Sequence, residues 1–161
     1  MRFLIQRVAE ASVAAEGQTI GRIGKGLLVF VGISEADVAP YSTEIADKMV
    51  KKLIGLRIFE DGNGKTNLDL KAVGGQLLLI SQFTLYADCR RGNRPSFTKA
   101  GDPQLANRLY QYIVEKCKEE TAVVEEGAFG ADMKVSLTND GPFTVMLDSD
   151  ELFHMPAAVK C

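Results

Sequence analysis

The run Gly26-Leu27-Leu28-Val29-Phe30-Val31-Gly32 contains no polar side chain. A strand with one wet face alternates apolar and polar residues, whereas an unbroken run like this must be covered on both faces. It reads as a central strand, and a central strand requires material packed on each side of the sheet. Gln76 to Ser81 is a second apolar strand, flowing into Gln82-Phe83-Thr84-Leu85-Tyr86. Phe3 to Val13 alternates instead, with Ile5, Val8 and Val13 prominent, as a half-buried strand with one irregularity would. Glu16-Gly17-Gln18 is a turn, and Thr19 to Ile23 is a short partner strand.

A helix is expected from about Asp37 or Ser42 to Gly55. Ile45, Met49, Leu53 and Leu56 recur there at helical spacing, while Lys48, Lys51 and Lys52 face away. Leu56 to Phe59 returns to strand, and Glu60 to Lys65 carries a hairpin signal. A second helix starts at Asp102-Pro103, a cap residue followed by proline at the first helical position. Its apolar stripe is Leu105, Leu109, Tyr112, Ile113 and Cys117. Val123-Val124, Met133 to Leu137 and Phe143 to Leu147 close the set as strands. Strand-turn-strand units interrupted by two main helices favour an α+β fold with a mostly antiparallel or mixed sheet, or a barrel-like core. One domain over residues 1–149 and a mobile tail over 150–161 is the expected organisation.

Composition acts mainly by exclusion. The formal net charge is -2, so the whole-molecule field does not gather nucleic acid, and any polyanion site must be a local patch. Cys89, Cys117 and Cys161 are odd in number and far apart, and form neither a disulfide framework nor a zinc site. No GxGxxG or Walker loop marks a nucleotide site, and no cofactor is expected. The start of the sequence has no long apolar stretch with a cleavage site, and no segment is long enough to span a bilayer. A cytoplasmic protein is the expectation.

Two segments at strand ends carry the candidate chemistry: Ser81-Gln82-Phe83-Thr84-Leu85 and Asn139-Asp140-Gly141-Pro142-Phe143-Thr144. Only Asp140 in them titrates usefully, and the one histidine, His154, lies in the tail. A histidine base is therefore excluded, which points to recognition by main-chain atoms and small hydroxyls. Each segment also has a plainer reading. Asn-Asp-Gly is a common turn composition, and strand-edge Ser, Gln and Thr usually satisfy backbone hydrogen bonds. A Ser or Thr nucleophile needs a base, for which Lys71 or Asp88 would have to serve. Cys89, between Asp88 and Arg90, is either an activated thiol or an incidental one. Arg90, Arg91, Arg94 and Lys99 form a local basic patch, either solvated or in contact with phosphates.

At these two motifs the chain resembles the D-aminoacyl-tRNA deacylases of the standard type. The family signatures stand here as Ser81-Gln82-Phe83-Thr84 and Asn139-Asp140-Gly141-Pro142-Phe143-Thr144. Leu4 to Val8, Arg91 to Phe97 and Phe129 to Met133 also look like the family, and the likeness covers roughly Met1 to Asp148.

The resemblance implies hydrolysis of the ester that joins a D-amino acid to tRNA, a chiral proofreading step in translation. It also implies an obligate-looking homodimer in which a cis Gly141-Pro142 element enters the partner's pocket. There it would meet Ser81, Gln82, Phe83 and Thr84 as the catalytic segment. Arg7 would brace the Gly-Pro element, and Asn139, Phe129 and Met133 would line the neighbourhood. Backbone carbonyls that grip the α-amino group, beside a rigid wall where an L side chain would sit, read chirality and nothing else. Glycyl-tRNA, with no side chain to clash, should be cleaved to some extent. The preferred mechanism uses the substrate's ribose 2′-OH, with backbone N–H groups near Phe83 and Thr84 stabilising the oxyanion. Thr84 as nucleophile and a non-catalytic nucleic-acid-binding module are the alternatives.

Overall fold

A computed structural model describes residues 1–39 and 43–153. The helix start at Ser42, His154, Cys161 and most of the expected tail lie outside the described residues. The sheet is built on β1 (Arg2–Ala15), which pairs antiparallel with three strands. Along one edge it meets β3 (Gly26–Gly32) and then β2 (Gln18–Ile23). A second edge pairs throughout with β8 (Met133–Asp148). Beyond β3 the order continues through β6 (Gln76–Ser81) to β7 (Val124–Glu126), both added in parallel. The sheet is therefore mixed. It is also nearly barrel-like: β2 and β7 end the order, yet a Cβ at Gly21 of β2 would lie 3.4 Å from Glu125 Cβ of β7. A small hairpin, β4 (Phe59–Glu60) and β5 (Thr66–Leu68), stands apart.

Among the described residues, four α-helices complete the fold. Two are short, α1 (Glu35–Val38) and α4 (Ser149–Phe153). The long ones are α2 (Thr43–Ile54) and α3 (Pro103–Glu120). Asp102 caps α3, its Oδ1 accepting from the amides of Gln104 at 3.0 Å and Leu105 at 3.1 Å. Such a cap is worth about 1 kcal/mol. The buried face of α3 is broader than the expected stripe: Ala106, Tyr110 and Val114 join it, while Leu105 is only half-buried. Tyr110 is fully buried, whereas Tyr112 is half-buried and bonds Asp47. The Tyr110 hydroxyl finds a buried acceptor, the Leu79 carbonyl at 2.8 Å. A tyrosine can enter a core when its hydroxyl is satisfied in this way.

The unbroken run of β3 is buried on both faces, as its composition requires. Leu27, Val29 and Val31 pack in the larger core with α2 and α3. Leu28 packs in a second cluster with Val8, Val13, Ile23, Leu78 and Ile80, inside the curl of the sheet. Phe3 and Ile5 of β1 belong to the first cluster, but Ala11 and Val13 belong to the second. Side chains on a strand change faces only where the register shifts. The β1–β8 register shifts on both sides of Val8 and the β1–β2 register shifts between Val13 and Ala14, so β1 carries three irregularities where one was expected.

The two expected closing strands, Met133 to Leu137 and Phe143 to Leu147, are one strand. β8 does not break at Asn139-Asp140-Gly141-Pro142, because β1 pairs with it on both sides of that segment. The extra residues are absorbed as a bulge. Gln6 pairs with Thr144 and Val8 with Asn139, so two steps on β1 match five on β8.

Candidate active site

β6 ends at Ser81 opposite Val31. The Gln82 amide donates to the Val31 carbonyl at 2.8 Å, and the chain then turns. Phe83–Tyr86 is a 3₁₀ turn, not a continuation of the strand. Gly32 makes room for it: a Cβ there would lie 2.9 Å from Leu85 Cβ and 3.3 Å from the Gln82 carbonyl oxygen. The first closing bond of the turn is from the Leu85 amide to the Gln82 carbonyl, at 3.3 Å. The amides of Phe83 and Thr84 precede it and so have no acceptor within the turn. Gln82 Nε2 donates to Thr84 Oγ1, and the Phe83 ring is 58% exposed. That ring meets Phe97 edge to face, with centroids 5.2 Å apart.

Beside the turn lies a cleft of about 650 Å³. Ser81, Gln82 and Phe83 form one wall, and Phe129 and Met133 stand in another. Thr84 is not among the lining residues. Asp132 is the only ionisable side chain among the described lining residues, and Lys134 pairs with it at 3.2 Å. Lys71, Asp88 and Cys89 are all absent from the lining. Lys71 pairs with Glu120. Arg90 binds Asp88 through Nε and Nη2 and holds its carboxyl well below the usual carboxylate range. Among the described residues the cleft thus offers main-chain groups, the Gln82 amide, the Ser81 hydroxyl and the Asp132 carboxylate. Two glycines shape its surroundings and carry no signal in the sequence: Gly32, and Gly127, where a Cβ would meet Met133 Sδ at 2.5 Å.

The bulge in β8 is held from beneath by Arg7, which is buried. Its Nε donates to the Asp140 carbonyl at 3.0 Å, its Nη2 to the Gly141 carbonyl at 3.0 Å, and its Nη1 to the Ile58 carbonyl at 2.6 Å. Nε also lies 3.0 Å from Asp140 Oδ2, and the guanidinium sits 4.6 Å from the centroid of the Phe143 ring. The Gly141-Pro142 peptide is cis. Asn139, Gly141 and Pro142 are exposed, and none of them lines the cleft of their own chain. Arg91, Arg94 and Lys99 are exposed on the loop that carries Phe97, and Asp88 and Ser96 close that loop through paired backbone bonds of 2.7 and 3.0 Å.

A sequence profile of the D-Tyr-tRNA(Tyr) deacylase family matches residues 4–148. The chain belongs to this family. Curated relatives agree along nearly their whole length. A D-aminoacyl-tRNA deacylase of Clostridium novyi is 53% identical over 153 residues, covering 95% of this chain and 100% of that protein. One from Haemophilus influenzae is 52% identical over 145 residues, covering 90% of this chain and 97% of that one. Among solved structures, a c-Myc DNA unwinding element binding protein superposes with a TM-score of 0.85 at 35% identity, covering 92% of this chain and 98% of that one. A probable eukaryotic D-amino acid tRNA deacylase gives 0.78 at 18% identity, over 91% and 97% of the two chains, and that likeness speaks to fold alone. No described helix is long and apolar enough to cross a membrane.

Proposed function

We propose that this deacylase-family chain hydrolyses the ester of D-aminoacyl-tRNA, releasing the free D-amino acid and tRNA as a proofreading step in the cytoplasm. The observation that carries the reading is the cleft beside Ser81-Gln82-Phe83, in which Asp132 is the one ionisable group among the described lining residues. An ester is activated enough to be cleaved by water without a strong protein base, provided the oxyanion is stabilised. The amides of Phe83 and Thr84, free of acceptors in their own turn, are suited to that task. The ribose 2′-OH, next to the scissile 3′ oxygen, accepts a proton from the attacking water as it passes its own proton to the leaving 3′ oxygen. Thr84 as nucleophile is the weaker reading, because its hydroxyl is held by Gln82 and lies outside the cleft lining.

The proposed chirality gate is the Gly141-Pro142 element of a second copy. Its exposed place on β8, outside the cleft of its own chain, supports delivery to a partner. Among the described residues the far edge of β8 has no strand partner, and Met146 on that strand is 46% exposed. A homodimer would cover both. Arg7 then braces the gate, Asn139 flanks it, and Phe129 and Met133 shape the pocket it enters. Arg90, Arg91, Arg94 and Lys99 make weak contacts to the acceptor end. The test is release of the amino acid from several chemically different D-aminoacyl-tRNAs by the purified protein. Cleavage of all of them is expected. Binding without release from any would leave only a nucleic-acid-binding module.

A further inference from the structure

We propose that Arg2 is a positioning residue for the ester-cleaving turn, fixing the amides of Phe83 and Thr84 through Leu85 and Tyr86. The proposal rests on the reading that this turn cleaves D-aminoacyl-tRNA. Arg2 opens β1 and pairs in register with Asp148 at the end of β8. Its Nε donates to Asp148 Oδ2 at 2.7 Å, and its Nη1 donates to the Leu85 carbonyl at 2.9 Å. The guanidinium carbon sits 4.7 Å from the centroid of the Tyr86 ring. Asp148 and Tyr86 are both 7% exposed, so the arginine is clasped between two buried groups. The other Asp148 oxygen accepts from the Asp150 amide at 3.0 Å, which fixes the carboxylate in turn.

The geometry explains why a fork is needed. The carbonyls at the end of a helical turn have no partner within it. Arg2 supplies one for Leu85 while its other arm stays on Asp148. Gly32 packs against Leu85 Cβ, and the Val31 carbonyl holds the Gln82 amide. Phe83 and Thr84 therefore lie between a pinned Gln82 and a pinned Leu85. Lysine carries the charge but cannot bond Asp148 and Leu85 in this planar arrangement and also stack on Tyr86. Asp148 lies on the strand that carries Gly141 and Pro142, so Arg2 ties the catalytic turn to that strand.

The test uses Arg2→Lys, Arg2→Gln and Asp148→Asn in the full chain, beside the wild type. Two quantities are read: steady-state hydrolysis of D-tyrosyl-tRNA, and amide hydrogen exchange residue by residue. Misplacing a reacting geometry by about an ångström costs up to about a hundredfold, so a fall in kcat of about tenfold to a hundredfold is expected, with KM within about twofold. Exchange should rise at Leu85 and Ala87 and stay unchanged along β3. Asp148→Asn should move both readouts in the same direction by less. Folded variants with wild-type kcat would overturn the proposal, and so would exchange that rises evenly over the whole chain. A wild type that binds but does not cleave the substrate would count against the function instead, and exchange at Leu85 and Ala87 would then decide the positioning.

Discussion

Arg7 Nη2 on β1 donates to the Gly141 carbonyl on β8 at 3.0 Å. This bond lies where the β1–β8 register slips, so the arginine fills the hollow that the bulge creates. Arg7→Ala would strand the carbonyls of Asp140, Gly141 and Ile58 and remove a buried guanidinium. Hydrogen bonds to a charged group contribute about 1.5–3 kcal/mol each, and they are not additive. The expected loss is about 2–4 kcal/mol in urea unfolding at fixed protein concentration. Arg7→Lys should recover little, since one ammonium cannot serve three carbonyls in different directions. A loss below about 0.5 kcal/mol, as at an ordinary surface site, would show that the bulge keeps its shape unaided.

On the proposed ribose-assisted mechanism, Thr84→Ala should leave turnover within about tenfold of wild type. A D-aminoacyl-tRNA ending in 2′-deoxyadenosine should be cleaved at least about a hundredfold more slowly, the scale of a lost acid–base group. The reverse pattern, Thr84→Ala inactive by about 10⁴-fold or more and the deoxy substrate normal, would make Thr84 the nucleophile.

Glycyl-tRNA has no side chain to strike a wall on the L side. It should be cleaved measurably, at a rate between those of the D and L substrates. An assay with no cleavage above background would show that the pocket also requires contact with a D side chain.

Alkaline pH should weaken the fold. Burial pushes the Cys117 thiol up from its ordinary 9.0 to about 12. Burial also raises the Tyr110 and Tyr86 hydroxyls above their ordinary value. A raised folded value means that the unfolded chain releases its proton first, so this stability is fully present below pH 9.0 and is lost as pH rises toward about 12. A tenfold difference in proton affinity between the folded and unfolded chain is worth about 1.4 kcal/mol. Cys117→Ala, although less stable near neutrality, should show a shallower decline over that range in urea midpoints.

Much of the fold is legible in local pattern. The unbroken Gly26–Gly32 run, the Asp102-Pro103 cap and the Glu16-Gly17 turn each have one physical reading, and each stands where that reading puts it. The Asn139-Asp140-Gly141-Pro142 segment misleads because its composition is that of a turn, while its shape is set by β1 across the sheet. Ser81 to Tyr86 misleads for a similar reason: it bends because Gly32, distant in sequence, leaves a hollow for Leu85. Tyr110 escapes the helical stripe because its burial depends on the Leu79 carbonyl, which no periodicity reveals. The site residues are recognisable as motifs. What fixes them, through Arg2, Gly32 and Arg7, is long-range in sequence.

The central claim is a gate that reads chirality at an ester and ignores the side chain. Its most direct test is hydrolysis of matched D- and L-tyrosyl-tRNA by the purified protein, with Pro142→Ala alongside. Rapid cleavage of the D ester alone is expected from the wild type, and loss of rate or selectivity from the variant. Equal cleavage of both esters by the wild type, or unchanged selectivity in Pro142→Ala, would contradict the claim.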